Sequence, residues 1–245
     1  VVTNFSSAHR ETLAAAFSRR SGLPVTPGRI ITAASAAAAY TALHHPDEPL
    51  LVLASDDARR EWAGQHALTP VEADAPGVRV AAVVIGDAGE DLSFRNLDIA
   101  FRQLRGGAAF VAMHRNPWWI TPRGVTLDAG AVVVGLEFAL GRRAIVAGKP
   151  SPVVFREAVR ELAADVRAAG GSRLRGAEVA MVGDDLDADV AGARGAGLRA
   201  ILVLTGKTMG TGLEAARAAG QLRGPRRPQA VGSDLLEVVT ALLEP

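Results

Sequence analysis

The chain has 245 residues, enough for a sizeable core in one or two domains. Hydrophobic residues at 49% and charged residues at 22% exclude a disordered chain, and a net charge of +1 gives bulk electrostatics no case for nucleic acid or an anionic membrane. The absence of cysteine excludes disulfides, thiolate catalysis and cysteine-ligated zinc. It is compatible with a reducing cytoplasm, the expected location, and no stretch reads as a membrane helix or signal peptide.

In chain order, Val1 and Val2 read as the end of a strand. Thr3, Asn4, Ser6 and Ser7 follow, with hydroxyls, an amide and backbone donors that suit a phosphate at a turn into a helix over 11–20. Taken alone, a Ser/Thr cap for that helix explains them as well. Pro24 to Gly28 forms a joint. Strand-like runs at 50–54, 78–85 and 108–113 then alternate with helical patterns at 35–43, 58–66, 96–104 and 131–140. Gly141-Arg142-Arg143 makes a second joint. Strands at 144–147, 179–182 and 200–204 alternate after it with helices at 152–169, 188–196 and 213–219. This alternation predicts an α/β architecture with mainly parallel strands. The block between the joints is long enough to fold separately, and we read residues 1–28 as core, 29–142 as an inserted α/β domain and 143–245 as the rest of the core. A single continuous sheet is the alternative.

The most informative stretch is Glu178 to Asp189. An apolar strand ends at Gly183 and releases Asp184, Asp185, Asp187 and Asp189 within six residues. Carboxylates at the C-terminal end of a buried strand stand in the ligand crevice of an open α/β sheet. A hard divalent cation is the natural counter-charge. Helix capping by Asp187 and dipole matching explain one or two of the four. Lys149, in Gly148-Lys149-Pro150, follows another strand at the same sheet edge, where its ammonium could meet an anionic ligand or a carboxylate. A solvated loop lysine is the plainer reading, and pairing with the acidic loop strengthens the functional one. In His114 to Trp119, Arg115 could meet an anionic substrate and Trp118 and Trp119 could stack on one, although tryptophans more often serve a core or a subunit contact. Thr205-Gly206-Lys207 imitates a nucleotide-binding P-loop, but Ile201 stands where a glycine is required. Arg223, Arg226 and Arg227 read as a solvated loop, and the five histidines show no zinc-protease spacing.

Together, Thr3-Asn4, Gly148-Lys149-Pro150 and Gly183-Asp184-Asp185 with Asp189 resemble motifs two, three and four of the haloacid dehalogenase superfamily. The middle block resembles the α/β cap of its subfamily IIA, which includes nucleotide and p-nitrophenyl phosphatases. Ala112-Met113-His114-Arg115 and Thr205-Gly206-Lys207 add to the likeness. The resemblance implies a Rossmann-like core with an inserted cap, and hydrolysis of small phosphorylated compounds with Mg2+ through an aspartyl-phosphate. By that resemblance Thr3 would hydrogen-bond the transferring phosphoryl group with Asn4 beside it, and Lys149 would orient the nucleophile. Asp184 would ligate Mg2+, and Asp185 and Asp189 would ligate it, partly through water, or fix the ligands that do. Arg115 would belong to the cap's substrate contacts, and a homodimer through the cap would suit the tryptophan pair. The family's first motif, Asp-x-Asp-Gly-Thr on the central strand, is absent from these residues. The expectation is therefore that the nucleophile lies upstream of Val1 and that these residues alone are inactive and poorly stable. The rival reading is a non-catalytic remnant that binds a phosphorylated metabolite or a protein.

Overall fold

The computed structural model describes residues 1–121 and 123–243. They divide into two compact units, Val1–Gly148 and Lys149–Pro245.

In the first unit, β1 (Val2–Thr3) leads through an irregular turn into α1 (Arg10–Ser21). His9, not a serine or threonine, caps that helix: its Nδ1 accepts the Glu11 N–H at 3.2 Å. Ser6 and Ser7 are thereby released for other contacts. The helix stops at Gly22, whose φ of 71° suits the left-handed C-terminal position. β2 (Ile31–Thr32) pairs in parallel with β1, Thr3 opposite Thr32. Thr32 and Ser35 then open α2 (Ala33–His44) with a reciprocal capping box.

The remainder of this unit is built on β3 (Leu50–Leu53), α3 (Asp56–Arg59), β4 (Ala67–Leu68), α4 (Pro70–Ala73), β5 (Ala82–Ile85), α5 (Phe94–Arg105) and β6 (Ala109–Ala112). A hairpin of β7 (Trp118–Thr121) and β8 (Gly124–Leu127) follows, then α6 (Ala129–Leu140) and β9 (Ile145–Val146). The parallel sheet runs β4-β3-β5-β6-β9, with Leu53 opposite Ile85 and Ile85 opposite Ala112. Its strands read as continuous apolar runs because both faces are covered, and all four residues of β3 and of β5 are buried. Phe110, 1% exposed among Leu51, Val83 and Ile99, contributes about 1.5–3 kcal/mol by its burial. The helix expected over 58–66 ends early. Trp62 turns inward to donate to Thr41 Oγ1 at 3.0 Å, and Gly64 follows at φ 90°. Near the expected joints, Ile31–Thr32 lies beside β1, and Ile145–Val146 beside β6.

The second unit comprises α7 (Pro152–Ala168), β10 (Ala180–Gly183), a π-helical turn over Leu186–Ala191, α8 (Gly192–Gly195), β11 (Arg199–Val203), α9 (Gly210–Ala218), β12 (Ala230–Gly232) and α10 (Leu235–Leu243). Its sheet is parallel in the order β10-β11-β12, and Gly183 ends β10 opposite Leu202. Among the described residues no helix is long and apolar enough to cross a membrane.

Candidate functional site

In the first unit the order β4-β3-β5-β6 reverses direction between β3 and β5. An open α/β sheet presents ligand groups at the C-terminal ends of its strands beside such a point. Ser55 follows β3, Asp87 follows β5, and His114 and Asn116 follow β6. The turn after β1 lies across these ends. Ser55 Oγ donates to Ser7 O at 2.7 Å, and the Asp87 N–H donates to Ser6 Oγ at 3.3 Å. A pocket of about 210 Å³ results, lined by Thr3, Asn4, Ser6 and Ser7 from the turn and by Asp87, His114, Asn116, Trp119 and Asp128 from the sheet side. Thr3 and Asn4, expected at a site, are both in it. Thr3 Oγ1 accepts the Phe5 N–H at 3.3 Å, which tightens the turn. Asn4 meets the glycine of Gly148-Lys149-Pro150: a Cβ at Gly148 would stand 2.6 Å from Asn4 Oδ1 and 2.5 Å from Met113 O. Only glycine permits that approach.

His114 sits 2% exposed at the base of this pocket. Its Nε2 is 2.8 Å from Ser6 Oγ and 3.6 Å from Asp128 Oδ1, and its Nδ1 accepts the Asn116 N–H at 3.3 Å. Burial holds its pKa below the ordinary imidazole value, against the opposing charges of Asp128 and Asp87. Arg115, expected to contact substrate, does not line the pocket. Its guanidinium donates to Glu137 Oε2 at 2.8 Å, beside Arg143 at 3.1 Å. Glu137 is buried in α6 and requires compensating donors, so the structure assigns Arg115 to that pair. The tryptophans are not core residues either. Trp118 is 55% and Trp119 40% exposed on the β7–β8 hairpin, and Trp119 forms a wall of the pocket.

In the second unit the four aspartates divide their work. Asp189 is buried, with Oδ1 accepting Lys149 Nζ at 2.7 Å and Oδ2 accepting the N–H groups of Asp184 and Asp185 at 3.1 and 3.2 Å. Gly183 makes room for this carboxylate, since a Cβ there would lie 2.3 Å from Asp189 Oδ2. Asp185, rather than Asp187, caps the following turn: its Oδ1 accepts from Asp187 N and Ala188 N at 2.8 and 3.1 Å. Its Oδ2 accepts Lys207 Nζ at 2.6 Å. Burial pushes the Asp185 pKa up, but the Lys207 hydrogen bond and charge, with the two backbone donors, outweigh it and leave it below the usual carboxylate range. The same hydrogen bond raises the pKa of Lys207. Asp187 pairs with Arg226, which is therefore no simple solvated-loop cation. Asp184 Oδ2 accepts the Lys207 N–H at 2.6 Å, across a gap that Gly206 alone allows. Lys207, from the rejected P-loop imitation, is thus folded onto the acidic loop.

Both oxygens of Asp185 and of Asp189 accept from protein donors in this structure, an arrangement that fixes the loop. Among the described residues no group of three or more His, Asp or Glu side chains is arranged to hold a metal ion. Asp184 is the carboxylate that remains suited to one. A single carboxylate fits a largely hydrated Mg2+, not an all-protein cage.

Two family models match the chain: one described as HAD-hydrolase-like over residues 146–238, and one as haloacid dehalogenase-like hydrolase over residues 1–66. Phospholysine phosphohistidine inorganic pyrophosphate phosphatase of Bos taurus is 32% identical over 191 residues, 77% of this chain and 63% of that protein. The chain spans about half the length of the curated relatives it matches. Among solved structures, p-nitrophenyl phosphatase from Archaeoglobus fulgidus superposes with a TM-score of 0.81 at 27% identity, over 98% of this chain and 84% of that one. Glycerol phosphate phosphatase from Mycobacterium tuberculosis, solved in complex with magnesium, gives 0.76 at 30% identity over 97% and 65%. These matches meet the same Thr3-Asn4, Gly148-Lys149 and Asp184 segments built above, and the chain belongs to the haloacid dehalogenase-like hydrolases.

Proposed function

We propose that the chain forms the greater part of a Mg2+-dependent phosphatase of small phosphorylated compounds, acting through an aspartyl-phosphate, with the block around residues 29–142 as its cap. The observation that carries this reading is the organisation of the acidic loop. Lys149 and Asp189 neutralise each other, Lys207 holds Asp185, and Asp184 follows β10 with one carboxylate oxygen bound to a protein N–H among the described residues. The solved glycerol phosphate phosphatase with magnesium supports the choice of cation.

Attack by a carboxylate on a phosphate requires both negative charges to be offset. In this reading Asp184 holds the cation, which when bound supplies that neutralisation at the phosphoryl oxygens. Thr3 and Asn4 orient the phosphoryl group by hydrogen bonds. Lys149 offers positive charge from a position fixed by Asp189, and Asp189 in turn holds the backbone of Asp184 and Asp185 in place. The nucleophilic carboxylate does not come from an Asp-x-Asp-Gly-Thr motif in these residues, so the protein to assay is the product of the coding sequence extended upstream of Val1. With p-nitrophenyl phosphate and Mg2+, Asp184→Asn is expected to lower kcat/KM at least about a hundredfold. Undiminished turnover in that variant would remove Asp184 from the chemistry, and phosphate binding without turnover by the extended wild type would favour the non-catalytic remnant.

A further inference from the structure

Hydrogen-bond directions around Ser6 carry one step more. The Asn116 N–H donates to His114 Nδ1, so in the neutral ring the proton sits on Nε2. Nε2 is 2.8 Å from Ser6 Oγ, which makes His114 the donor and Ser6 the acceptor. The Asp87 N–H donates to the same oxygen at 3.3 Å. A hydroxyl has two acceptor lone pairs and one proton to donate. Both lone pairs of Ser6 are occupied, and among the described residues no oxygen takes its proton. Ser6 is 4% exposed, and its hydroxyl borders the pocket shared with Thr3, Asn4 and Asn116. A buried donor without an acceptor is costly, and a ligand oxygen in the pocket would satisfy it.

We propose that Ser6 is a substrate-binding residue whose hydroxyl, turned into the pocket by His114 and the Asp87 N–H, donates to an oxygen of the phosphorylated substrate. His114 is its positioning residue, held by Asn116 on one side and by the nearby carboxylate of Asp128 on the other. The inference rests on the phosphatase reading for the identity of the ligand, and on the ring tautomer for its geometry.

The test uses the full-length protein with Ser6→Ala, Ser6→Cys, Ser6→Thr and His114→Ala. A hydrogen bond to a charged oxygen predicts that Ser6→Ala raises KM about tenfold to a hundredfold with a smaller change in kcat. Ser6→Cys keeps the volume with a weak donor, so it shifts KM the same way and serves if the alanine variant does not fold. Ser6→Thr restores the hydroxyl and most of the affinity. His114→Ala raises KM in the wild-type background and adds nothing once Ser6 is alanine, a non-additivity that a general loss of structure would not give. Inhibition by inorganic phosphate distinguishes the acceptor: weakened with KM, it assigns a phosphoryl oxygen; unchanged while KM rises, it assigns an oxygen of the leaving group. Either outcome supports the proposal. An unchanged KM in folded Ser6→Ala overturns it, as does a nitrogen NMR spectrum placing the His114 proton on Nδ1. A protein that binds phosphate through Ser6 yet hydrolyses no phosphate ester would defeat the phosphatase reading alone.

Discussion

The two units prepare polar groups for a ligand by opposite means. Around the pocket of the first unit the polar atoms are mostly neutral: hydroxyls, an amide and an uncharged imidazole, fixed by backbone N–H groups. The acidic loop of the second unit is charged throughout and held by ion pairs, Lys149 with Asp189, Lys207 with Asp185 and Arg226 with Asp187. Neutral networks lose only modest energy when one member changes, whereas breaking a buried ion pair leaves an uncompensated charge. The second unit should therefore be the brittle one.

Lys149→Met tests this most severely. Side-chain exposures of 14% and 4% place Lys149 and Asp189 in a pair that is largely dry. Removing the ammonium should destabilise the protein by about 3–5 kcal/mol, read as a shift in denaturant midpoint. Adding Asp189→Leu removes the stranded charge but also strips the acceptor from the N–H groups of Asp184 and Asp185. The double variant should recover only part of the loss. Full recovery would mean that those backbone donors find other partners, and that Asp189 serves Lys149 alone.

Gly183→Ala sharpens the comparison from the steric side. Its φ is ordinary, so the backbone tolerates alanine; the added carbon, 2.3 Å from the Asp189 carboxylate, is what must be accommodated. Overpacking of this kind costs about 1–3 kcal/mol. A parallel Gly135→Ala change in α6, where a Cβ meets nothing within 4 Å, should be neutral or mildly stabilising. Equal thermal shifts in the two variants would contradict the close approach at Gly183.

The sequence made the long strands and the family legible because β3, β5, β6, β10 and β11 are continuous apolar runs, and because four aspartates after one of them have few structural excuses. It concealed β2, β4 and β12, because two or three residues carry no readable periodicity. The division of labour within the acidic loop was hidden for a different reason. It depends on Lys149, 40 residues before Asp189, and on the Lys207 backbone, 23 residues after Asp184. His114 went unassigned because its partner Ser6 is 108 residues away. The available signal was a polar residue at the immediate end of an apolar run, which Asp87 and His114 share with Asp184. The pairing of Arg115 with Glu137 was also hidden, because a lone arginine beside aromatics looks the same whether it faces a ligand or a buried glutamate.

The smallest expected effect belongs to the neutral network, and its sign follows from burial. The folded pKa of His114 lies below its ordinary 6.5 because desolvation disfavours the imidazolium more than Asp128 and Asp87 favour it. As pH falls through 6.5 the unfolded chain takes up a proton that the folded protein still refuses. Stability contributed by the neutral ring is present above 6.5 and declines as pH falls toward the folded pKa, by at most about 1.4 kcal/mol per pH unit for one proton. The difference between the unfolding free energies of wild type and His114→Asn isolates this ring. That difference should shrink between pH 7 and 5. Parallel curves would mean that His114 accepts a proton as readily folded as unfolded, and would leave the pocket of the first unit no less charged than the loop of the second.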